Sequence, residues 1–309
     1  MTTMRAATYD HFGDDSVLAV TDQPLPRIAP GEVLVRVKAA GVNPVDWKVM
    51  SGGLEALMET QFPVVPGWDV AGVVEQVGID VTDYAVGDEV IGYARKDWVH
   101  GGTFAEFVAV PRRCLARKPE RLSWQQAAGL PLAGLTAYQV LHRLGLDAGK
   151  TVLIHGGAGG VGSFGVQVAV AAGARVIATA SEGNHEYLRR LGAEPVTYGD
   201  GLADRVRALA PEGVDIVADF VGGVLDATLA VLADGGVHAS ITDPTVLGAG
   251  GQWMWVHPDP TDLAALAELA QSGAVEVTVA ATFALDQVPD AFALSREGHT
   301  RGKIVIDVG

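Results

Sequence analysis

A glycine-rich segment in the middle of the chain has the residue pattern with the most specific chemistry. Residues 155–162 contain G-x-G-x-x-G at Gly157, Gly159 and Gly162, directly after an apolar run and before a stretch of small residues. In such a turn the first glycine permits the tight bend, the second lets the backbone approach a pyrophosphate, and the third lets helix and strand pack closely. The pattern predicts a dinucleotide bound at a helix N-terminus, where free N–H groups favour anions. The predicted contacts of this turn are Gly157, Gly159, Gly160, Val161 and Gly162.

The residues after the second strand of this region bear on which dinucleotide binds. NAD-specific sites usually have Asp or Glu there, which binds the ribose 2′-hydroxyl. Ala180 and Ser181 occupy the place here and leave room for a 2′-phosphate, whereas the neighbouring Glu182 would repel one. A plain helix cap at Ser181 would fit NAD equally well. The balance favours NADPH over NADH. Three further cofactor contacts are predicted beside Ser181: Asn184, Tyr198 and Val221.

The elements that would position this turn alternate between strand and helix. Such alternation is typical of right-handed βαβ units and a parallel sheet covered on both faces. Ser123 and Gln126 have the spacing of a capping box at the start of the first helix. The predicted strands are 151–155, 175–179, 214–220 and 237–241, and the predicted helices include 134–144, 161–173, 186–191 and 261–272.

The two ends of the chain have strand character instead. Short, partly alternating runs separated by Gly and Pro turns are typical of a small barrel or rolled sheet. The predicted strands here are 33–38, 71–78, 89–92, 275–279 and 303–308. We therefore expect one β-rich domain from residues 1–122 and 276–309, with an α/β dinucleotide-binding domain, residues 123–275, inserted into it.

Composition excludes several classes of function. The 309 residues include 22 basic and 37 acidic side chains, a formal net charge of −15, which disfavours nucleic acid and anionic membranes as partners. Cys114 is the one cysteine, so an intramolecular disulfide and a multi-cysteine metal site are excluded. The sequence has neither a signal-peptide pattern nor an apolar run of membrane-spanning length. We expect a cytoplasmic protein.

Taken together, the motifs resemble the zinc-independent medium-chain dehydrogenases/reductases, in the quinone oxidoreductase branch. The matching segments are residues 41–46, 66–74, 86–90, 102–107, 134–138, 156–162, 191–193 and 301–305, which follow in the family's order over nearly the whole chain. The resemblance implies a GroES-like catalytic domain, an inserted Rossmann domain with a doubly wound parallel sheet, and an active cleft between them. It also implies a homodimer joined by the Rossmann sheet edges, for which residues 237–241 are the candidate strand.

The resemblance departs from the zinc-dependent alcohol dehydrogenases where those have their metal ligands. Asn43 and Asp46 stand in the segment that supplies Cys there, and Trp68-Asp69 replaces the His-Glu of a Gly-His-Glu motif. No zinc is expected. Without a Lewis acid, reduction of a simple ketone is poorly supported. A quinone or an α,β-unsaturated carbonyl is easier to reduce, because conjugation spreads the developing charge and hydrogen bonds suffice.

The same resemblance suggests roles for individual residues. Asn43 and Thr136 would hydrogen-bond the nicotinamide ribose or carboxamide, and Asp46 would either orient them or cap a turn. The substrate cleft would be lined by Trp47, Tyr93, Trp98 and Trp253. The proton donor stays open among Tyr93, His100 and water. Two other functions also stay open: an enoyl reductase acting on a larger conjugated intermediate, and a non-catalytic NADPH-binding protein.

Overall fold

The computed structural model describes residues 3–298 and 300–309. Two compact units divide the chain: the first comprises Met1–Leu132, Pro258–Ser272 and Val277–Gly309, and the second comprises Ala133–His257 and Gly273–Glu276. Among the described residues, no helix combines the length and the apolar character needed to span a membrane.

Strands form much of both units. In chain order they are β1 (Thr3–Thr8), β2 (Ala19–Pro24), β3 (Glu32–Val42), β4 (Thr60–Val65), β5 (Asp69–Val77), β6 (Glu89–Tyr93), β7 (Val99–Gly101), β8 (Phe107–Pro111), β9 (Leu115–Arg117), β10 (Thr151–His155), β11 (Arg175–Ala180), β12 (Glu194–Thr197), β13 (Val214–Asp219), β14 (Leu232–Ser240), β15 (Gln252–Trp253), β16 (Val279–Ala284) and β17 (Lys303–Asp307).

The α-helices are mostly short. In chain order they are α1 (Pro44–Met50), α2 (Trp124–Ala128), α3 (Pro131–Arg143), α4 (Gly160–Ala171), α5 (His185–Arg190), α6 (Leu202–Leu209), α7 (Leu225–Val231), α8 (Pro260–Ser272) and α9 (Val288–Glu297). The predicted capping box is present at the start of α2, where Gln126 N–H donates to Ser123 Oγ and Ser123 N–H donates to Gln126 Oε1.

The first unit is built on a seven-stranded sheet. Its strands follow the order β16-β17-β3-β5-β6-β9, and β8 also pairs with β3. The eleven-residue strand β3 lies inside this sheet, and its Val33, Leu34 and Val35 are fully buried. Two small ladders, β1 with β2 and β4 with β7, complete the β structure of this unit in the described residues. The arrangement matches the β-rich, GroES-like domain expected from the sequence.

The second unit has a six-stranded parallel sheet in the order β12-β11-β10-β13-β14-β15. Counted within the sheet, this is the 3-2-1-4-5-6 order of doubly wound dinucleotide-binding folds, in which ligands bind where the strand order reverses. The reversal lies between β10 and β13, whose last residues, His155 and Asp219, are register partners. The predicted Rossmann fold is confirmed, and its switch point is the expected position of a ligand-binding site.

One predicted strand is wrong. Residues 275–278 are not in a strand, and β16 begins only at Val279. The alternation that suggested a strand reflects burial, because Val275 and Val277 are buried. The backbone of Glu276, however, bonds to a side chain: its N–H donates to Gln167 Oε1 at 2.7 Å, and its carbonyl accepts from Gln167 Nε2 at 3.1 Å. These bonds take the place of a strand partner.

The compact units also differ from the predicted domain bounds. Helix α8, expected in the α/β domain, belongs to the first unit. It packs beside β9, and its Gln271 accepts a hydrogen bond from Arg121 N–H. At the other end of the second unit, strand β14 is paired on both sides, so the sheet ends at β15 rather than at residues 237–241.

Candidate functional site

The glycine turn after β10 is held by the neighbouring strand. Gly156, at φ +74°, donates its N–H to Thr179 Oγ1 at 3.0 Å, and Gly157 N–H donates to Thr179 O at 2.9 Å. A β-carbon on Gly162 would overlap the carbonyl oxygen of Gly156. Helix α4 therefore starts as close to the end of β10 as two backbones can pack. The local geometry leaves no room for a side chain at Gly157 or Gly162, two of the three glycines of the sequence pattern.

The start of α4 fits a dinucleotide pyrophosphate. The helix is 12 residues long and its N-cap is Gly159, which has no side chain to accept from the first-turn N–H groups. These N–H groups have no intrahelical acceptor, and the helix dipole adds partial positive charge there. Gly159, Gly160 and Val161 are partly exposed, so an anion can reach them. The five turn residues predicted from the sequence lie together at this point.

A second loop approaches the same turn from β13. Asp219 Oδ1 accepts from the N–H groups of Val221 and Gly222, both at 2.9 Å, and its Oδ2 accepts from Ser240 Oγ at 2.7 Å. The side chain of Val221 lies directly over Gly156, where a β-carbon would displace it. Asp219, which sequence reasoning missed, thus fixes the loop that brings Val221 to the glycine turn.

The predicted 2′-phosphate contacts follow the neighbouring parallel strands. Ser181 comes directly after β11 and is exposed, and its Oγ accepts from Asn184 Nδ2 at 3.2 Å. Tyr198 comes directly after β12 and is 58% exposed. Arg205 bonds to backbone carbonyls of this loop, among them Thr197 O at 2.8 Å. The geometry offers hydroxyl and amide donors at the expected end of the sheet.

His155, the last residue of β10, is a buried histidine rather than a surface group. It is 1% exposed, and its Nε2 lies 3.2 Å from Thr228 Oγ1. Burial lowers the pKa of His155 from 6.5 to about 4, against the opposing charge of Asp219. The imidazole is therefore neutral at physiological pH, and it lies buried directly before the glycine turn.

We expect His155 to make the protein less stable in acid. Because its folded-state pKa lies below its unfolded value, the unfolded state binds more protons between pH 6.5 and pH 4, and stability falls as the pH drops through this window. The full shift corresponds to about 3 kcal/mol. Urea unfolding of the wild type and of His155→Gln at pH 7 and pH 4.5 measures this loss of stability. If the free energy of unfolding fell by the same amount in both proteins, the prediction would be contradicted.

The first unit contains a buried cluster of polar and charged side chains around Asn43. Asn43 is 2% exposed; its Nδ2 donates to Asp69 Oδ2 at 2.9 Å, and its Oδ1 accepts from Lys303 Nζ. Asp46 Oδ2 accepts from Asn43 N–H at 2.7 Å, which caps α1. Asp69 Oδ1 accepts from Leu132 N–H at 2.7 Å. Asn43 and Asp46 are thus hydrogen-bonded to each other, and Asp46 caps the turn, one of the two roles that the sequence left open. The role of Asn43 toward the cofactor stays a prediction.

The charges in this cluster shift one another's pKa. Burial raises the pKa of Asp46 to about 8, with Asp69 adding to the rise and Lys303 opposing it. Burial raises the pKa of Asp69 to about 6, again against Lys303, whose Nζ lies 3.9 Å from Asp69 Oδ2. Burial lowers the pKa of Lys303, while both carboxylates raise it. One buried cation therefore balances two carboxyl groups, and near neutral pH Asp46 is mostly protonated.

The remaining predicted residues lie in different surroundings. Trp47 is half-buried and donates its Nε1–H to Ser295 Oγ at 3.2 Å. Tyr93 is 1% exposed and packs edge-on against Trp68 in the core of the first unit, whereas Trp98 is 45% exposed. In the second unit, Thr136 is buried on α3 and Trp253 is 45% exposed on β15. Their cofactor and substrate roles stay predictions.

Sequence reasoning missed Asp69 and Lys303 as site residues, although both stood in quoted motifs. Each is a charged residue at the start of a strand, β5 or β17, and is followed directly by an apolar run, residues 70–74 and 304–306. Charged side chains are almost never fully buried unless paired. A charge directly before an apolar run could have suggested that each of these side chains is buried and paired, but not with which partner.

Comparison with known proteins shows which families and relatives this chain is similar to. The family model described as alcohol dehydrogenase GroES-like domain matches residues 29–120, and the one described as zinc-binding dehydrogenase matches residues 191–306. An NADPH-dependent alkenal/one oxidoreductase of Arabidopsis thaliana chloroplasts is 36% identical, over 98% of this chain and 79% of its own.

Two solved structures are similar over whole chains. The quinone oxidoreductase from Coxiella burnetii is 33% identical with a TM-score of 0.88, over 100% of both chains. A mycobacterial structure complexed with NADPH is 31% identical with a TM-score of 0.86, over 99% of this chain and 100% of its own. Since fold, motifs and relatives agree, this chain belongs to the medium-chain dehydrogenase/reductase family, with an alcohol-dehydrogenase-type GroES-like domain and a Rossmann domain.

Proposed function

We propose that this protein is an NADPH-dependent oxidoreductase that reduces a quinone or an α,β-unsaturated carbonyl compound without zinc. The observation that carries the proposal is the complete dinucleotide turn at the switch point of the second unit's sheet, in a chain whose relatives are named for enone and quinone reduction. Reduced nicotinamide supplies hydride when bound. The protein binds the cofactor and the substrate, orients them, and balances the charge that develops.

The residues of the second unit support NADPH binding. The N–H groups that open α4 would hold the pyrophosphate, with Val221 packed against the turn. Ser181, Asn184 and Tyr198 offer hydroxyl and amide groups suited to a 2′-phosphate. No carboxylate stands at the position directly after β11, where NAD-specific sites usually have one. NADPH is therefore the proposed cofactor, in preference to NADH.

The donor set of the first unit supports a reaction without zinc. The position that supplies Cys in the zinc enzymes holds the amide of Asn43, which is bonded to Asp69 and Lys303. Trp68 has no lone pair to offer a metal. Burial raises the pKa of Cys114 to about 11, which disfavours the thiolate that zinc requires. We expect activity to survive treatment with a chelator, with less than stoichiometric metal by elemental analysis.

The proposed setting of the protein is a homodimer in the cytoplasm. The sheet of the second unit ends at β15, a two-residue strand that carries the exposed Trp253, and Trp255, two residues further along the chain, is also exposed. Exposed apolar side chains at the edge of a sheet suit contact with a second copy of the chain. Light scattering at micromolar concentration tests this assembly, and a monomeric mass would contradict the proposed homodimer.

The first experiment follows loss of reduced-nicotinamide absorbance with a simple enone and a simple quinone, using NADPH and NADH. We expect turnover with a KM for NADPH about tenfold below that for NADH, a difference of about 1.4 kcal/mol. Ser181→Asp should reverse the preference, because a carboxylate repels the 2′-phosphate and suits the 2′-hydroxyl. Gly183→Ala, in open space in the same segment, is the matched control.

Each result of this experiment selects a function. Equal rates with the two cofactors would support the proposed enzyme activity but not the preference for NADPH. They would show that the repulsion of the 2′-phosphate by Glu182 cancels the space and the hydroxyl that Ser181 offers it. No turnover with the simple acceptors, followed by turnover when a bulky conjugated substrate replaces them in the same assay, would select the pathway-specific enoyl reductase. Tight NADPH binding with no turnover on any acceptor would overturn the proposal in favour of a non-catalytic NADPH-binding protein.

A further inference from the structure

A small cavity in the first unit joins the buried cluster to the surface. Asp46 and Tyr9, 3% and 2% exposed, form its inner wall. Its outer wall includes Trp98 and His100, which are exposed, and Lys96, which is partly exposed. The volume of about 10 Å³ available to water centres matches one water molecule. This cavity is a path from a buried carboxyl group toward solvent.

Two polar atoms in this cavity have no hydrogen-bond partner among the described residues. They are Asp46 Oδ1 and the Tyr9 hydroxyl oxygen. The other oxygen of Asp46 is used in the helix cap, so the oxygen free to carry a proton is Oδ1. Buried polar groups of a native protein nearly always have partners, including water. A carboxyl O–H and a phenol O–H that line a cavity of this size are the groups that one bridging water would satisfy.

The charges around Asp46 favour a protonated carboxyl that can still ionise. Asp69 repels a second negative charge, and the Lys303 ammonium attracts one. On the cavity side the titratable groups are Tyr9, Lys96 and His100. Burial raises the pKa of Tyr9, so its hydroxyl stays protonated and acts as a relay rather than a base.

We propose that Asp46 stores and supplies the proton of the reduction through one water molecule bound in the cavity that it shares with Tyr9. This inference rests on the proposed function and adds the source of the proton. Asp46 acts through water, and Tyr9 positions that water.

The step balances in atoms and electrons. Hydride addition brings both electrons and one hydrogen to the substrate, and leaves an enolate or a quinol monoanion. The O–H bond of Asp46 breaks, its proton passes through the cavity water to that anion, and a new O–H or C–H bond forms on the product. The resulting Asp46 carboxylate, stabilised by Lys303, takes a proton from solvent past Lys96 and His100. Each turnover consumes one solvent proton.

The test compares Asp46→Asn with the wild type. Asn is isosteric and its side-chain oxygen can still accept from Asn43 N–H, so the helix cap is kept. We expect kcat to fall roughly tenfold, less than a direct general acid contributes because solvent reaches the same cavity. The KM for NADPH should not change. Asp10→Asn, an exposed neighbour of Tyr9, is the control and should leave both constants unchanged.

The pH profile separates proton supply from a structural role. Since only protonated Asp46 can donate, wild-type kcat should fall as the pH rises through about 8, and Asp46→Asn should lose this alkaline limb. Tyr9→Phe should keep the limb and lower kcat by a smaller factor. Its solvent deuterium isotope effect should exceed that of the wild type, because the relay has lost one donor.

A spectroscopic measurement tests the stored proton without catalysis. Infrared spectra of the cofactor-free protein at pH 6.5 should show the carbonyl stretch of a buried protonated carboxyl, which Asp46→Asn removes and Asp10→Asn keeps. If the wild type is active and Asp46→Asn keeps both its kcat and the alkaline limb, the proposed role of Asp46 as the proton source is wrong, while the proposed function remains. A wild type without turnover on any acceptor would overturn the proposed function, and the proton role with it.

Discussion

Gly162→Val should reduce the affinity for NADPH by about 100-fold, which is about 3 kcal/mol. A β-carbon at this position would overlap the carbonyl oxygen of Gly156, and the two further methyl groups of valine make the overlap worse. The first turn of α4 must therefore move away from the end of β10. This displacement removes the first-turn N–H groups from the place where the pyrophosphate lies. Fluorescence titration of NADPH into the purified variant measures the loss.

A matched substitution in the same turn separates packing from the loss of glycine as such. A β-carbon on Gly159 would lie 3.3 Å from Gly156 O, and Gly159 has a φ of −74°, so Gly159→Ala needs only a small adjustment. We expect Gly159→Ala to lose less than tenfold in NADPH affinity. Equal losses in the two variants would mean that the close approach of α4 to β10 does not position the site.

The glycine turn could be predicted from the sequence because its requirements are local. One strand, one tight bend and one helix start lie within a few residues, and each constrains the residue type at a fixed position. The same locality explains the correct prediction of the capping box at Ser123 and Gln126. By contrast, residues 275–278 alternate like a strand, yet the backbone of Glu276 bonds to the side chain of Gln167, more than 100 residues away. Periodicity reports burial, and it does not report the bonding partner.

The buried cluster could not be predicted for the same reason. Lys303 and Asn43 are 260 positions apart in the chain and meet because β17 pairs with β3. Nothing near Asn43 in the sequence indicates that its amide is shared between a carboxylate and an ammonium group. The family resemblance named Asn43 and Asp46 as site residues without showing these partners. The pairing of strands far apart in the chain therefore decides the charge balance of this cluster.

Lys303→Met should destabilise the first unit by about 3–5 kcal/mol at neutral pH, the usual cost of leaving a buried charge without its partner. Methionine has a similar length but no charge, so Asp46 and Asp69 lose the cation that balances them. Asn43 Oδ1 and Val42 O also lose the donor that satisfies them. Urea unfolding followed by the fluorescence of the tryptophans measures the loss.

The pH dependence of this variant identifies the cause. Lys303 opposes the rise of the Asp69 pKa, which is about 6 in the wild type, so removing the ammonium raises this pKa further. A raised folded-state pKa means that the folded protein holds a proton that the unfolded chain releases, and stability falls as the pH rises from the unfolded value of about 3.9 through the folded one. The deficit of Lys303→Met relative to the wild type should therefore be small near pH 4.5 and grow toward pH 8.

A second substitution and a surface control complete this test. Lys303→Met combined with Asp69→Asn should recover most of the stability at pH 7.5, because the uncompensated carboxylate is gone. The amide oxygen at position 69 can still accept from Leu132 N–H, and its NH2 group can donate to the Asn43 carbonyl oxygen, which has lost Lys303, once the Asn43 amide has flipped. Arg36→Met, which removes a half-exposed ion pair with Glu75 in the same unit, should cost less than about 1 kcal/mol. A Lys303→Met deficit independent of pH, and not relieved by Asp69→Asn, would mean that Lys303 acts through packing of its alkyl chain and not through its charge. Asp46 would then have no buried cation to stabilise the carboxylate left when its proton departs.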